Sequence, residues 1–247
     1  MNGLTCAVMA LGATLFTWLV TAAGAGLVFC FRTPHRRLLD GLLGFAAGVM
    51  TAASFWSLLA PAIQLAEARG QNPWLIPALG FLLGGLGLRV GDRLFAKTQA
   101  GGLGRSRLLV LSVTLHNIPE GLAVGVAFGA LAQGVGTVQE ACLLALGIGL
   151  QNFPEGTAVA LPLLREGAGR KTAFFWGQLS GLAEPLAGVM GALLAVQAAA
   201  VLPFALAFAA GAMIYVVADE LLPETSGCGL WMLAGFALMM VLDVALG

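Results

Sequence analysis

Two seven-residue stretches, Leu115-His116-Asn117-Ile118-Pro119-Glu120-Gly121 and Leu150-Gln151-Asn152-Phe153-Pro154-Glu155-Gly156, lie 35 positions apart and share the pattern x-Asn-x-Pro-Glu-Gly. Each sits inside a long apolar segment. A helix turns once per 3.6 residues, so His116 and Glu120 project from one face with Asn117 beside them, and Gln151, Asn152 and Glu155 repeat that geometry. Such faces make poor lipid-facing surfaces. Turned toward each other, they enclose a small polar chamber. Pro119 cannot donate to the carbonyl of Leu115, nor Pro154 to that of Leu150, so each helix is expected to kink and expose a backbone oxygen beside its acid. In hydrocarbon such a carbonyl needs a partner: protein, water or an ion.

The rest of the chain makes hydrocarbon the relevant solvent. Of 247 residues, 59% are hydrophobic and 10% charged, and the mean hydropathy is +0.93. A soluble globule of ordinary composition carries about 25% charged residues, so this chain reads as a polytopic all-α membrane protein. A net charge of zero gives no electrostatic footprint for nucleic acid. A bilayer crossing takes roughly 20 apolar residues. Eight spans are expected in one membrane domain covering residues 1–247: 4–31, 38–67, 74–95, 108–131, 140–164, 172–198, 202–222 and 230–246. The first apolar run is too long for a signal peptide and lacks a basic leader, so it is read as a retained helix. Cys6, Cys30, Cys142 and Cys228 form no CxxC pair and are read as small core residues.

Alternating the eight spans across the bilayer sorts the cations. Arg32, Arg36, Arg37, Arg89, Arg93, Lys97, Arg105, Arg107, Arg165, Arg170 and Lys171 fall on one side and only Arg69 on the other. The positive-inside rule puts the basic side in the cytoplasm and both termini outside it. His35 belongs to the first basic turn, where a solvated or headgroup-contacting role is expected.

Consecutive spans run in opposite directions, so the duplicated motif in spans four and five is related to itself by a pseudo-twofold axis in the membrane plane. Ligand sites in inverted-repeat transporters lie near the midplane at the repeat interface. Three spans precede the pair and three follow it, a 3+2+3 arrangement, although sequence similarity outside the motif is weak. In span six, Gly177, Gly181, Glu184, Gly188 and Gly191 share a stripe, which brings a neighbouring backbone close and presents Glu184 as a third wall.

Glu120, Glu155 and Glu184 in apolar spans each cost about 2.5–3.5 kcal/mol on insertion scales and have no Lys or Arg at matching depth. Protons or a bound cation must neutralise them. One imidazole, carboxylates and amide oxygens make a mixed N/O ligand set suited to Zn²⁺, Fe²⁺, Mn²⁺, Co²⁺ or Cd²⁺. His116 taken alone reads as a packing histidine, and Glu184 alone as a protonated structural glutamate. Two opposed copies of one motif favour ion binding over both readings. Asp219, Glu220 and Glu224 at the cytoplasmic end of span seven either guide a leaving cation or solvate a helix end. Asp40, Glu67, Asp92, Glu140, Glu166 and Asp243 are read as interfacial. Trp18, Trp56, Trp74, Trp176 and Trp231 are read as anchors or lipid-facing bulk.

His116-Asn117-x-Pro119-Glu120-Gly121, Gln151-Asn152-x-Pro154-Glu155-Gly156 and Glu184 together resemble the ZIP (Zrt/Irt-like) family of divalent metal transporters, and Gln151-Asn152 is most similar to its bacterial GufA-like branch. The resemblance covers all eight spans. It implies a binuclear centre, with His116, Glu120, Gln151 and Glu155 around one metal and Asn117, Glu120, Asn152, Glu155 and Glu184 around the other. Three features depart from the family pattern. Asn152 stands where relatives often carry aspartate, which lowers the charge at the second position. Asp219-Glu220 stands where many carry His-Glu, and the loop from Ala96 to Arg107 lacks the histidines of eukaryotic members.

The reading is a transporter rather than an enzyme, without a prosthetic group. It takes Zn²⁺ or a related divalent ion from the periplasmic or extracellular side of a bacterial inner membrane into the cytoplasm by alternating access, for which the resemblance implies an elevator-like motion of a transport domain against a scaffold. Its expected partners are divalent metal ions, the lipid bilayer and a second copy in a homodimer. An intramembrane metal-dependent hydrolase is disfavoured by the absence of an H-E-x-x-H helix. A proton-coupled carrier of small solutes differs by lacking metal-dependent stabilisation.

Overall fold

The computed structural model describes residues 1–30, 36–98, 105–165, 167–197, 199–225 and 227–246. The basic turn with Arg32 and His35 and the loop 99–104 lie outside the described residues. So do the side chains of Arg36, Arg107, Asp92, Arg165, Glu166 and, within the expected site, His116, Glu220 and Glu224. Every regular element among the described residues is helical.

Asn2 caps α1 (Gly3–Ala25), its side chain accepting from the Thr5 amide at 2.7 Å. Gly26 separates α1 from the short α2 (Leu27–Cys30). Then come α3 (Arg36–Ala53), a π-helical turn at Ser54–Leu59, and α4 (Ala60–Ala68). Next are α5 (Leu75–Thr98), α6 (Arg105–Ala130) and α7 (Val138–Arg165). Helices α6 and α7 remain helical through Pro119 and through Pro154 and Pro162. After them come α8 (Arg170–Ser180), α9 (Ala183–Gln197), α10 (Leu202–Val216), a second π-helical turn at Val217–Leu221, α11 (Leu222–Glu224) and α12 (Gly229–Leu246). Each π turn ends two residues before a proline, Pro61 and Pro223. A proline ring collides with the carbonyl four residues back, and widening the preceding turn relieves the collision.

Four helical stretches are long and apolar enough to cross a membrane by length and composition: Gly3–Cys30, Arg37–Ala68, Arg170–Gln197 and Leu202–Asp219. Leu75–Gly91 and Gly229–Ala245 are shorter apolar helices. Helix α7 is not among them, because Gln151, Asn152 and Glu155 occupy its middle. The expected span 172–198 is not one helix. Pro185 has no amide proton for the carbonyl of Gly181, and the chain breaks between Ser180 and Ala183, leaving Glu184 in the first turn of α9.

The helices pack most closely as four pairs, α6 with α9, α5 with α10, α1 with α7 and α3 with α12. Within each pair, contacts advance together along both chains, so the partners run parallel. A Cβ built on Gly48 of α3 would lie 2.0 Å from the Met232 carbonyl oxygen, and one on Gly235 of α12 would lie 2.1 Å from that of Phe45. On α10 and α5, the corresponding distances are 1.9 Å from Gly211 to Phe81 and 2.0 Å from Gly84 to Phe208. Only glycine permits these backbones to touch, the small-residue solution to helix packing where lipid supplies no hydrophobic drive.

The Gly48 and Gly211 contacts fall within two similar six-residue stretches. Phe45-Ala46-Ala47-Gly48-Val49-Met50 recurs as Phe208-Ala209-Ala210-Gly211-Ala212-Met213, 163 positions later. The same spacing relates the two π turns, beginning at Ser54 and Val217, and relates Thr21 to Glu184. Those last two residues play matching parts. A Cβ on Gly156 would meet the Thr21 carbonyl at 2.0 Å, and one on Gly121 would meet the Glu184 carbonyl at 2.4 Å.

The apolar core is built from Leu43, Met50, Leu58, Phe128, Leu144, Ile148, Met213 and Met239, among others. The cysteine reading holds only in part. Cys6 is fully buried, but Cys30 and Cys142 are exposed on the outside of their helices.

Candidate metal centre

Asn117 and Glu120 come from the middle of α6, Gln151, Asn152 and Glu155 from the middle of α7, and Glu184 from the start of α9. All are buried, and Glu155, at 6% exposure, is the least enclosed. Helix α1 supplies a fourth wall that the sequence reading missed. Thr14, Thr17 and Thr21 are buried along one stripe of an otherwise apolar helix. Their spacing of three and four residues was the available signal.

Two carboxylate–amide pairs organise the chamber. Gln151 Nε2 donates to Glu120 Oε1, joining α7 to α6. Asn152 Nδ2 donates to both oxygens of Glu184, at 2.8 and 2.9 Å, joining α7 to α9. The Thr17 hydroxyl donates to Glu184 Oε2, and that of Thr21 lies 3.4 Å from Oε1. Glu120 is joined to Gln151 and Glu184 to Asn152, adjacent positions on α7, so these two acids face the same stretch of that helix. As a carboxylate in the first turn of α9, Glu184 also meets the positive end of a helix dipole.

The break before α9 has a direct use. The amide of Glu184 bonds to the Gly181 carbonyl at 3.0 Å rather than one residue further back. The Ser180 carbonyl instead accepts from Asn117 Nδ2 at 2.9 Å, fixing Asn117 on α6 to the end of α8.

With these donors spent, the surplus in the chamber is of acceptors. Glu120 Oε2, Gln151 Oε1, Asn117 Oδ1 and Asn152 Oδ1 are buried with no hydrogen-bond partner among the described residues. Buried oxygens without donors cost about 1–3 kcal/mol each, and a hard or borderline cation is the kind of partner that relieves several at once. The described His, Cys, Asp and Glu side chains do not by themselves make a preassembled group of three ligands. His116, whose backbone lies one turn before Glu120 in α6, is outside the described side chains.

Asp219 is exposed and accepts from the Tyr215 hydroxyl at 3.0 Å; Glu220 and Glu224, beside it in the sequence, are outside the described side chains. Asp243 is not simply interfacial: half-buried in α12, it accepts from the Ser57 hydroxyl at 2.7 Å.

Residues 96–243 match the family model for the ZIP zinc transporter, more than half of the chain. The zinc transporter ZIP11 of Bos taurus is 42% identical, over 96% of this chain and 97% of the relative. The zinc transporter ZIP11 of Homo sapiens is 40% identical, over the full length of both chains. The zinc transporter GufA of Myxococcus xanthus is 38% identical, over 95% of this chain and 98% of its own. These relatives are named as transporters and not as enzymes. The chain belongs to the ZIP family of zinc transporters.

Proposed function

We propose that this chain carries Zn²⁺, and with it Cd²⁺, Mn²⁺, Fe²⁺ or Co²⁺, from the periplasmic or extracellular side of a bacterial inner membrane into the cytoplasm. One observation carries the reading: oxygens of Glu120, Gln151, Asn117 and Asn152 are buried together without donors. Metal enters the chamber between α6, α7 and α9, sheds water there and leaves when the chamber opens inward. His116, Glu120, Gln151 and Glu155 hold one ion. Asn117, Glu120, Asn152, Glu155 and Glu184 hold a second, with shared carboxylates bridging. Asp219, Glu220 and Glu224 line the way out.

Eight spans in a 3+2+3 inverted repeat, with both termini outside, accommodate the helices described. The 163-residue spacing of the Phe-Ala-Ala-Gly repeats and of the π turns supports that arrangement. So does the matching of the pairs α1–α7 and α9–α6, and of α3–α12 and α10–α5. Inverted repeats meeting at a central site support alternating access.

Radiotracer Zn²⁺ uptake into proteoliposomes tests the assignment. Glu155→Ala is expected to abolish uptake while leaving a monodisperse membrane protein. Uptake by that variant at the wild-type rate would overturn the proposal.

A further inference from the structure

Glu120 and Glu184 differ in how many donors serve them. Glu184 Oε2 takes the Thr17 hydroxyl and Asn152 Nδ2 at 2.9 Å, and Oε1 takes Asn152 Nδ2 at 2.8 Å with the Thr21 hydroxyl 3.4 Å away. An ionised carboxylate offers about four lone-pair sites, and both oxygens of Glu184 are served, with Asn152 Nδ2 also lying 3.3 Å from the Thr17 carbonyl. Glu120 accepts only from Gln151 among the described residues, leaving Oε2 open. A cation entering the chamber meets a ready oxygen on Glu120 but must displace hydrogen bonds to reach Glu184.

We infer that Thr17, assisted by Thr21, is a positioning residue that holds Glu184 in hydrogen bonds and thereby makes the second metal position much weaker than the first. This rests on the reading of the chamber as a metal site. The donors come from α1, whose Thr21 occupies in its repeat the place of Glu184 in the other. One repeat supplies the carboxylate and its counterpart supplies the hydroxyls that restrain it. The restraint is releasable. The Thr17 hydroxyl has one proton, and its alternative acceptor is the Thr14 carbonyl of its own helix, 3.0 Å away. For Thr21 the alternative is the Thr17 carbonyl at 3.3 Å. Turning these hydroxyls back onto α1 leaves Asn152 as the remaining donor to Glu184 without moving a helix, so the step is a side-chain rotation rather than a rearrangement of the fold.

The test is stepwise calorimetric titration of the purified full-length chain with Zn²⁺ alone. Wild type is expected to show a tight first step and a second at least tenfold weaker. A hydrogen bond to a charged group is worth about tenfold or more in affinity. Thr17→Val should therefore tighten the second step about tenfold, with the first changed less than twofold. Thr17→Ser, which keeps the hydroxyl, should match wild type; a role in packing alone would not separate these variants in this way. If Thr17→Val is not monodisperse, Thr17→Ala carries the same prediction. An unchanged ratio of steps in the Val or Ala variant, a Ser variant that shifts as far as Val, or two equal steps in wild type would each overturn the inference while leaving the metal site standing. Absence of Zn²⁺ binding by wild type would overturn the metal-site reading and the inference with it.

Discussion

Glu120 and Glu184 are both fully buried at the same chamber, yet the structure treats them differently. Glu120, at mid-helix in α6, has one amide donor and an unserved oxygen; Glu184, at the start of α9, has a helix terminus, an amide and two threonine hydroxyls about it. Burial alone therefore does not mark a ligand. The ratio of acceptors to donors around the buried group does, because an oxygen already satisfied gains little from a cation and an unserved one gains much.

The largest expected effect follows directly. Glu120→Ala should reduce Zn²⁺ uptake in proteoliposomes at least about a hundredfold, since loss of the shared carboxylate removes several kcal/mol of charge-assisted binding. Glu184→Ala should cost less than about tenfold. Equal losses would break the distinction between the two acids. A smaller effect sharpens it from the other side. Asn152→Asp takes the amide donor away from Glu184 and sets a second carboxylate beside it, so the weaker step of a Zn²⁺ titration should tighten about tenfold or more.

The glycine contacts at Gly48 and Gly211 offer a comparison of stability rather than ligation. Gly48→Ala and Gly211→Ala push a methyl group against the carbonyls of Met232 and Phe81. Each should destabilise the protein by about 2 kcal/mol, by the cost of overpacking, and by similar amounts if the contacts are repeat equivalents. Gly12→Ala, with nothing within 4 Å of the added carbon, should stay within about 0.5 kcal/mol of wild type. Thermal unfolding in detergent, followed by loss of monodisperse protein, compares all three. Ser57→Ala, which removes the only hydroxyl donor seen on Asp243 among the described residues, should fall between these extremes, at about 1 kcal/mol in the same assay.

Much of this was legible in the chain itself. Apolar composition demanded membrane helices, and the doubled x-Asn-x-Pro-Glu-Gly pattern put the polar side chains of α6 and α7 on facing surfaces. Glu184 stood out because a carboxylate in an apolar, glycine-striped segment needs a reason to be there. Three features escaped for physical reasons. Thr14, Thr17 and Thr21 were silent because a threonine in an apolar helix ordinarily bonds back to its own carbonyls, as these also do, and carries no charge to betray a site. The Phe-Ala-Ala-Gly repeat was hidden because it is made of residues common in any membrane helix; its meaning lies in backbone contact at Gly48 and Gly211, which composition does not show. The break before α9 was encoded in Pro185, but the preceding Gly181 was taken for a packing glycine and serves as a helix terminus as well. Cys30 and Cys142 misled in the opposite sense: an apolar segment in a membrane has two inward directions, toward protein and toward lipid.

The most direct measurement is X-ray absorption at the zinc edge on purified protein loaded with Zn²⁺, beside Glu120→Ala treated identically. Bound zinc in the wild type should be surrounded by nitrogen and oxygen at about 2.0–2.2 Å with no sulfur, and the variant should retain little of it. Zinc held by sulfur at about 2.3 Å, or retained equally by Glu120→Ala, would contradict the account.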